Sequence, residues 1–239
     1  MTQKYEFVEG DEKTIAPGIV VKRIRALVAI AATAWTPAVT PGDLGGYIQG
    51  VENLTQVSGD AWVYGDAWVY GDARVYGDAW VYGDARVSGD ARVYGDARVY
   101  GDAWVSGDAR VSGDARVYGD ARVYGDAWVS GNARVYGDAW VYGDARVYGD
   151  AWVYGDGLIF WASKVGSENG TLTVYNAKDN TLEVTRGCFR GTPEQFLAKS
   201  ADVHEERIQH EYRLLIEVAA SRIEAARAAV AEPAEAVNE

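Results

Sequence analysis

Two histidines, His204 and His210, and one cysteine, Cys188, are the side chains of this 239-residue chain best suited to nucleophilic or metal chemistry near neutral pH. Zinc ligation from one helix wants histidines three or four apart. These are six apart near the start of the last predicted helix, where solvated side chains are expected. Cys188, in RGCFRG, has no base beside it in sequence and is expected to be a packed thiol rather than a nucleophile. No G-x-S-x-G, P-loop or paired-cysteine motif occurs. The sequence therefore predicts no enzyme, no cofactor and no metal. The chemistry its residue types do support is recognition. Tryptophan, tyrosine and arginine, the side chains that anchor protein interfaces, recur at a fixed spacing of six.

That spacing belongs to a repeat. From Val57 the chain carries seventeen units of V-[YS]-G-[DN]-A-[WR], the last being VYGDGL (Val153 to Leu158). VENLTQ (Val51 to Gln56) reads as a weaker unit in the same register. In A-[WR]-V-[YS] the side chains alternate, so Ala and Val point inward while Trp/Arg and Tyr/Ser point outward. Gly-Asp makes the corner: glycine relieves backbone strain, and aspartate can hydrogen-bond nearby backbone N–H groups. One unit cannot bury its valine; a stack can. The pattern V-x-G-x-A-x resembles the hexapeptide-repeat fold, which implies a left-handed parallel β-helix with three units per coil. Seventeen units then make nearly six coils, a prism about 27 Å long at ~4.8 Å per strand. A right-handed β-helix or a flat β-roll is the competing geometry. Hexapeptide-repeat acyltransferases use a histidine beside a loop that interrupts the coils. This array has neither.

The predicted fold class is thus mainly β: a β-helix with a cap at each end. Residues 1–50 form an N-terminal β cap, 51–158 the array, 159–231 a C-terminal hairpin and helical module, and 232–239 a loose tail. KYEFVEG and GIVVKRIRALVAI read as strands of the first cap, and PGDLGGYIQG as the entry turn. TLTVY and TLEVT read as a hairpin around NAKDN. Thr192, Pro193 and Gln195 read as N-cap, N1 and N3 of a helix, a capping box. A second helix is predicted from about Val203 to Val230. Ile208, Tyr212, Leu215, Ala219, Ile223, Ala226 and Val230 fall on one of its faces. That seam is suited to packing on the rod or on a second copy, and Ile208, Tyr212, Leu215, Ala219 and Ile223 are the predicted oligomerisation residues.

Two flanking stretches, GDLGGYIQGVENLTQ and GTLTVYNAKDNTLEVTRGCFRGTPEQF, resemble segments bordering Gly-Asn/Asp-Ala arrays in proteins encoded by phages and prophages. The resemblance implies a phage-related protein acting inside an infected bacterium, and it brings no established activity. Related chains carry an acidic HGDN-like turn before the last helix. Here SADVHEERIQHEY departs from it. The lone cysteine, the lack of a signal-like start and the short apolar run ALVAIAATAW predict a soluble cytosolic protein with no membrane segment, and the resemblance implies that the cytoplasm is that of a bacterial host. A net charge of −12 argues against direct binding to nucleic acid or anionic lipid.

If units n and n+3 stack, each face can be listed. One face is expected to carry Tyr64, Tyr82, Tyr100, Tyr118, Tyr136 and Tyr154 beside Trp68, Arg86, Trp104, Arg122 and Trp140. A second carries Ser58, Tyr76, Tyr94, Ser112, Ser130 and Tyr148 with Trp62, Trp80, Arg98, Arg116, Arg134 and Trp152. A third carries Tyr70, Ser88, Ser106, Tyr124 and Tyr142 with Arg74, Arg92, Arg110, Trp128 and Arg146. The first face, from Tyr64 to Trp140, is the expected partner-binding surface. Such ladders also stabilise a β-helix with no partner at all. Sixteen corner aspartates and Asn132 read chiefly as turn formers, with cation binding or mimicry of a phosphate track as alternatives. The expected function is a non-enzymatic interaction rod; the resemblance to phage-encoded array proteins implies that its partner is a host protein complex, one of defence or nucleic-acid processing, which it inhibits, with nucleic-acid mimicry as one route. The alternatives are a virion or self-assembling scaffold and a small-molecule or glycan binder. A homo-oligomer is expected.

Overall fold

The computed structural model describes residues 3–56, 59–155 and 157–231. Met1, Thr2, Val57, Ser58, Asp156, the residues from 232 to 239 and the side chains of Val230 and Ala231 lie outside that description. The array is a parallel β-solenoid of about six turns. Its strands, β4 (Trp62–Val63) to β19 (Trp152–Tyr154), are two or three residues long, one per hexapeptide. Trp62 pairs with Trp80, Trp104 with Arg122, and Trp128 with Arg146, each partner eighteen positions along. Three units close one turn, and the strands sort into three parallel sheets.

The alternation places Val and Ala of the repeat inside, at 0–1 % exposure. Before the last turn, outward residues donate their backbone N–H to the next turn, as Trp104 does to Ala121 O at 2.9 Å and Tyr100 to Val117 O at 3.0 Å. The corner sets how closely the turns approach. Gly101 has φ +69°, and a Cβ built on it would stand 3.0 Å from the backbone N of Gly119 in the turn above. Glycine is thus required twice there, for its left-handed backbone and for its missing side chain. The aspartates do less than expected. Their side chains are exposed at every described corner, and among the described residues only Asp78 accepts a backbone bond, from Asp60 N–H at 2.8 Å.

Two caps close the ends, since an open solenoid would present unpaired strand edges. At the N-terminus β1 (Tyr5–Ala16) and β2 (Ile19–Ala26) form an antiparallel hairpin, and β2 pairs with β3 (Leu44–Ile48). The stretch expected as an entry turn is therefore partly a strand. It lies parallel to β5 (Trp68–Val69), with Tyr47 on Trp68 and Ile48 on Val69. VENLTQ is not a unit in register. It makes a 3-10 turn, Val51–Asn53, that leaves Val51 56 % exposed and puts buried Leu54 against Val75. Asn53, fully buried, donates to Gly71 O and Ala73 O at 2.8 and 2.9 Å.

At the other end β20 (Ile159–Val165), β21 (Gly170–Asn176), β22 (Leu182–Arg186) and β23 (Phe189–Gly191) form an antiparallel sheet. Buried polar side chains of this sheet satisfy the last turn. Thr173 Oγ1 accepts from Arg146 N–H, Thr185 Oγ1 donates to Arg146 O, and Asn176 Nδ2 donates to Trp152 O. Helix α1 (Pro193–Val203) has the expected capping box, Thr192 to Gln195. Helix α2 (Glu206–Ala231) begins later than expected, because His204 ends α1. Ile208, Tyr212, Ala219 and Ile223 are at most 1 % exposed in α2, and Leu215 packs beside them. These five are consumed inside the protomer against β20, β21 and α1, which corrects their assignment to an interface between copies.

Gly101→Ala should lower stability by more than the ~1–2 kcal/mol that a left-handed backbone alone costs. Gly10→Ala is the control: φ is +78° with nothing within 4 Å of the added atom. Urea midpoints should order as wild type, Gly10→Ala, then Gly101→Ala; equal midpoints for the two variants would refute crowding at the corner. Asn53→Ala, which strands two carbonyls, should cost about 2–3 kcal/mol in the same assay.

Candidate functional site: three side-chain faces

The corner falls inside the hexapeptide, and this changes the grouping of the columns. A strand runs Ala–Trp/Arg–Val–Tyr/Ser, so each tyrosine shares a sheet with the Trp or Arg two residues before it. Tyr64, Tyr82, Tyr100, Tyr118, Tyr136 and Tyr154 therefore lie with Trp62, Trp80, Arg98, Arg116, Arg134 and Trp152. Trp68, Arg86, Trp104, Arg122 and Trp140 lie on the neighbouring sheet with Tyr70, Ser88, Ser106, Tyr124 and Tyr142. The ten residues expected on one face thus occupy two, on either side of the corner line that starts at Gly65 and Asp66. The third sheet carries Arg74, Arg92, Arg110, Trp128 and Arg146 with Tyr76, Tyr94, Ser112, Ser130 and Tyr148.

The expected ladders themselves exist. On the tyrosine face, rings 82, 100 and 118 stack at 4.8 Å, 118 on 136 at 4.9 Å and 136 on 154 at 5.4 Å. That spacing is the strand spacing, so the backbone imposes the stack. Tyr64 stands apart, 46 % exposed, beside Trp62 and the N-terminal cap. On the Trp/Arg face, Arg86 lies over Trp68 at 4.6 Å and Trp104 at 5.0 Å, and Arg122 over Trp104 at 5.7 Å and Trp140 at 5.0 Å. The column continues into the cap, where Arg23 and Lys13 flank the Tyr47 ring at 4.4 and 4.1 Å. Each exposed contact of this kind contributes about 0.5–1 kcal/mol. Trp104 and Trp140 remain 42 % and 43 % exposed.

One aromatic of these surfaces escaped the sequence analysis. Trp35, in the N-terminal cap, is 61 % exposed and lies over Arg116 at 4.3 Å and Arg98 at 6.0 Å. Thr33 and Thr36 hold its turn by mutual hydroxyl bonding at 2.7 Å. A lone tryptophan in TAWTP, outside the repeat, was the available signal. The three corner lines carry exposed carboxylates. Among the described residues, Asp66 forms the array's ion pairs, with Lys13 and Arg23. The rod thus alternates guanidinium-bearing faces with acidic edges.

The other candidates are dispersed. Cys188 is exposed in the turn between β22 and β23 rather than packed. His204 caps α1, with Ser200 Oγ at 3.2 Å from Nδ1, and His210 is exposed on α2. Among the described residues no three His, Cys, Asp or Glu side chains cluster as a metal site. No helix among them is long and apolar enough to cross a membrane.

The YdcK beta-solenoid repeat matches residues 56–71, 67–83, 85–101, 91–107, 109–125, 115–131, 127–143 and 139–155. No curated protein matches the chain.

Burial pushes the Tyr100 hydroxyl up to about 12, with the Tyr82 and Tyr118 rings adding to the rise. Burial also raises Tyr82, Tyr118 and Tyr136. The folded protein holds these protons more tightly than the unfolded chain, so the ladder's contribution is complete below pH 10.0 and fades as pH rises through about 12. Urea midpoints should therefore fall between about pH 8 and about pH 11, and Tyr100→Phe, which keeps the stack without the proton, should fall less. An identical drop in both proteins would remove the ladder as the cause. The matched repeat and the parallel β-solenoid together make this chain a repeat β-helix protein.

Proposed function

We propose that the chain is a non-enzymatic interaction protein that binds a protein partner through the Trp/Arg face and the corner it shares with the tyrosine ladder. The observation that carries this reading is the exposure of Trp104 and Trp140 in a column whose other members hold them rigid. An indole already stacked and fixed loses little rotamer freedom on binding, and Trp, Tyr and Arg are the side chains most often found as interface hot spots. A partner with alternating charge fits best: acidic groups opposite Arg86 and Arg122, basic groups opposite the corner aspartates. Those corner carboxylates would repel a continuous phosphate backbone, which favours protein over nucleic acid. The resemblance of the flanking segments to phage-encoded array proteins favours a bacterial host complex as the partner and inhibition as the outcome. The buried polar caps at both ends favour a discrete rod over an end-to-end filament.

The test is capture from nuclease-treated bacterial lysate by wild type, by Trp104→Ser/Trp140→Ser, and by Arg92→Ser/Tyr94→Ser on the third face, all matched for thermal stability. One complex held at fixed stoichiometry by wild type and the third-face variant, and lost with the Trp104/Trp140 variant, is the expected result. Recovery of the bait alone, or equal loss in both variants, would overturn the assignment.

A further inference from the structure

The Trp/Arg column is open at one end. Trp104 has a guanidinium on each side, Arg86 at 5.0 Å and Arg122 at 5.7 Å. Trp140 has Arg122 at 5.0 Å and no second cation among the described residues. Its strand β17 (Trp140–Val141) is the last of its sheet. The position one turn further on is Leu158, fully buried.

Beside Trp140 lies a cavity of about 590 Å³, lined by Asp138, Tyr142, Phe160, Trp161 and Arg222 among others. The array supplies Asp138, Trp140 and Tyr142, β20 supplies Phe160 and Trp161, and α2 supplies Arg222. Tyr142 and Trp161 meet edge to face at 4.3 Å and 85°, so two ring planes bound the space at a right angle. The side chains of Asp138 and Arg222 make no hydrogen bond or ion pair with any described residue.

We infer that this cavity binds a guanidinium-type organic cation, which stacks on Trp140 as the next member of the column. Three observations point the same way. The protein already places guanidinium groups on its indoles along this column, at 4.6–5.7 Å. Trp140, Tyr142, Phe160 and Trp161 bring aromatic rings to its lining, and ring faces attract cations. Asp138 offers an unpaired carboxylate of the kind that accepts two parallel N–H bonds from a guanidinium. The volume suits an arginine side chain on a peptide, within the usual size of ligand sites. Arg222 is the opposing group: its like charge keeps binding weak, and its removal should strengthen it. This site shares Trp140 with the face proposed for protein capture and extends from it into the C-terminal module; Trp104 takes no part in it.

The test uses the full chain and two probes, N-acetyl-arginine amide and its neutral isostere N-acetyl-citrulline amide, followed by the indole N–H resonances. The arginine probe should shift the Trp140 and Trp161 signals saturably, and the citrulline probe should bind at least about tenfold more weakly. Asp138→Asn should weaken the arginine probe about fivefold or more. Arg222→Gln should tighten it. Trp35→Ala should leave it unchanged. Equal binding of the citrulline probe, shifts confined to Trp104, or no saturation in a protein with unaltered thermal stability would overturn the inference. Loss of partner capture in the Trp104/Trp140 assay leaves this result independent, since the two readouts follow different ligands.

Discussion

The backbone hydrogen bond between one turn and the next governs everything else in this molecule. It holds the turns at strand spacing, and it does so only because a glycine with positive φ sits at each described corner; from Gly59 to Gly137 a Cβ there would press on the glycine of the next turn. With that spacing imposed, any residue in the outward positions meets its counterpart eighteen residues on. Two variable letters per unit thereby become columns in space. Identical tyrosines stack whether or not a partner exists, each pair contributing roughly 0.5–1.5 kcal/mol. Arginines, which would repel each other if stacked without relief, are separated by indoles on one face and grouped on the others.

Much of this was legible because the repeat is so regular. Val, Ala and Gly-Asp reveal the inward alternation and the corner, and six-residue spacing reveals the columns. The grouping of columns into faces was less legible. The hexapeptide as written from valine hides the fact that its own Gly-Asp divides it, so Tyr100 and Trp104 look like neighbours on one sheet and are in fact on two. The caps were least legible. Asn53, Thr173, Asn176 and Thr185 are ordinary polar letters in sequence, yet each is buried at 0–1 % exposure to satisfy a solenoid end. Nothing local marks a residue whose partner lies two dozen positions away. The α2 seam shows the same limit. Its periodicity is correct, but periodicity says that a face is covered and not by what. The cover is β20, β21 and α1.

The division of labour follows. The interior is uniform and carries no specificity. The ends are closed by polar side chains. The outward letters alone differ from turn to turn, and their aromatic members remain partly exposed where Trp104 and Trp140 stand. A rod built this way presents fixed rings and charges without the ordering cost of a flexible loop. The same rigidity leaves Trp140 with one uncovered face at the junction with the C-terminal module, where the repeat ends and aromatic β20 begins.

The account rests on residue i standing over residue i+18, and cross-linking tests that directly. In a Cys188→Ser background, Ser88→Cys/Ser106→Cys places two thiols on adjacent turns of one sheet, where Ser88 N–H bonds Val105 O at 2.9 Å. Neighbouring strands about 4.8 Å apart fall within disulfide reach. Mild oxidation should join this pair and leave Ser106→Cys/Ser112→Cys, one unit apart and on different faces, unjoined. Bridging in the second pair and not the first would contradict three units per turn, and with it every column described above.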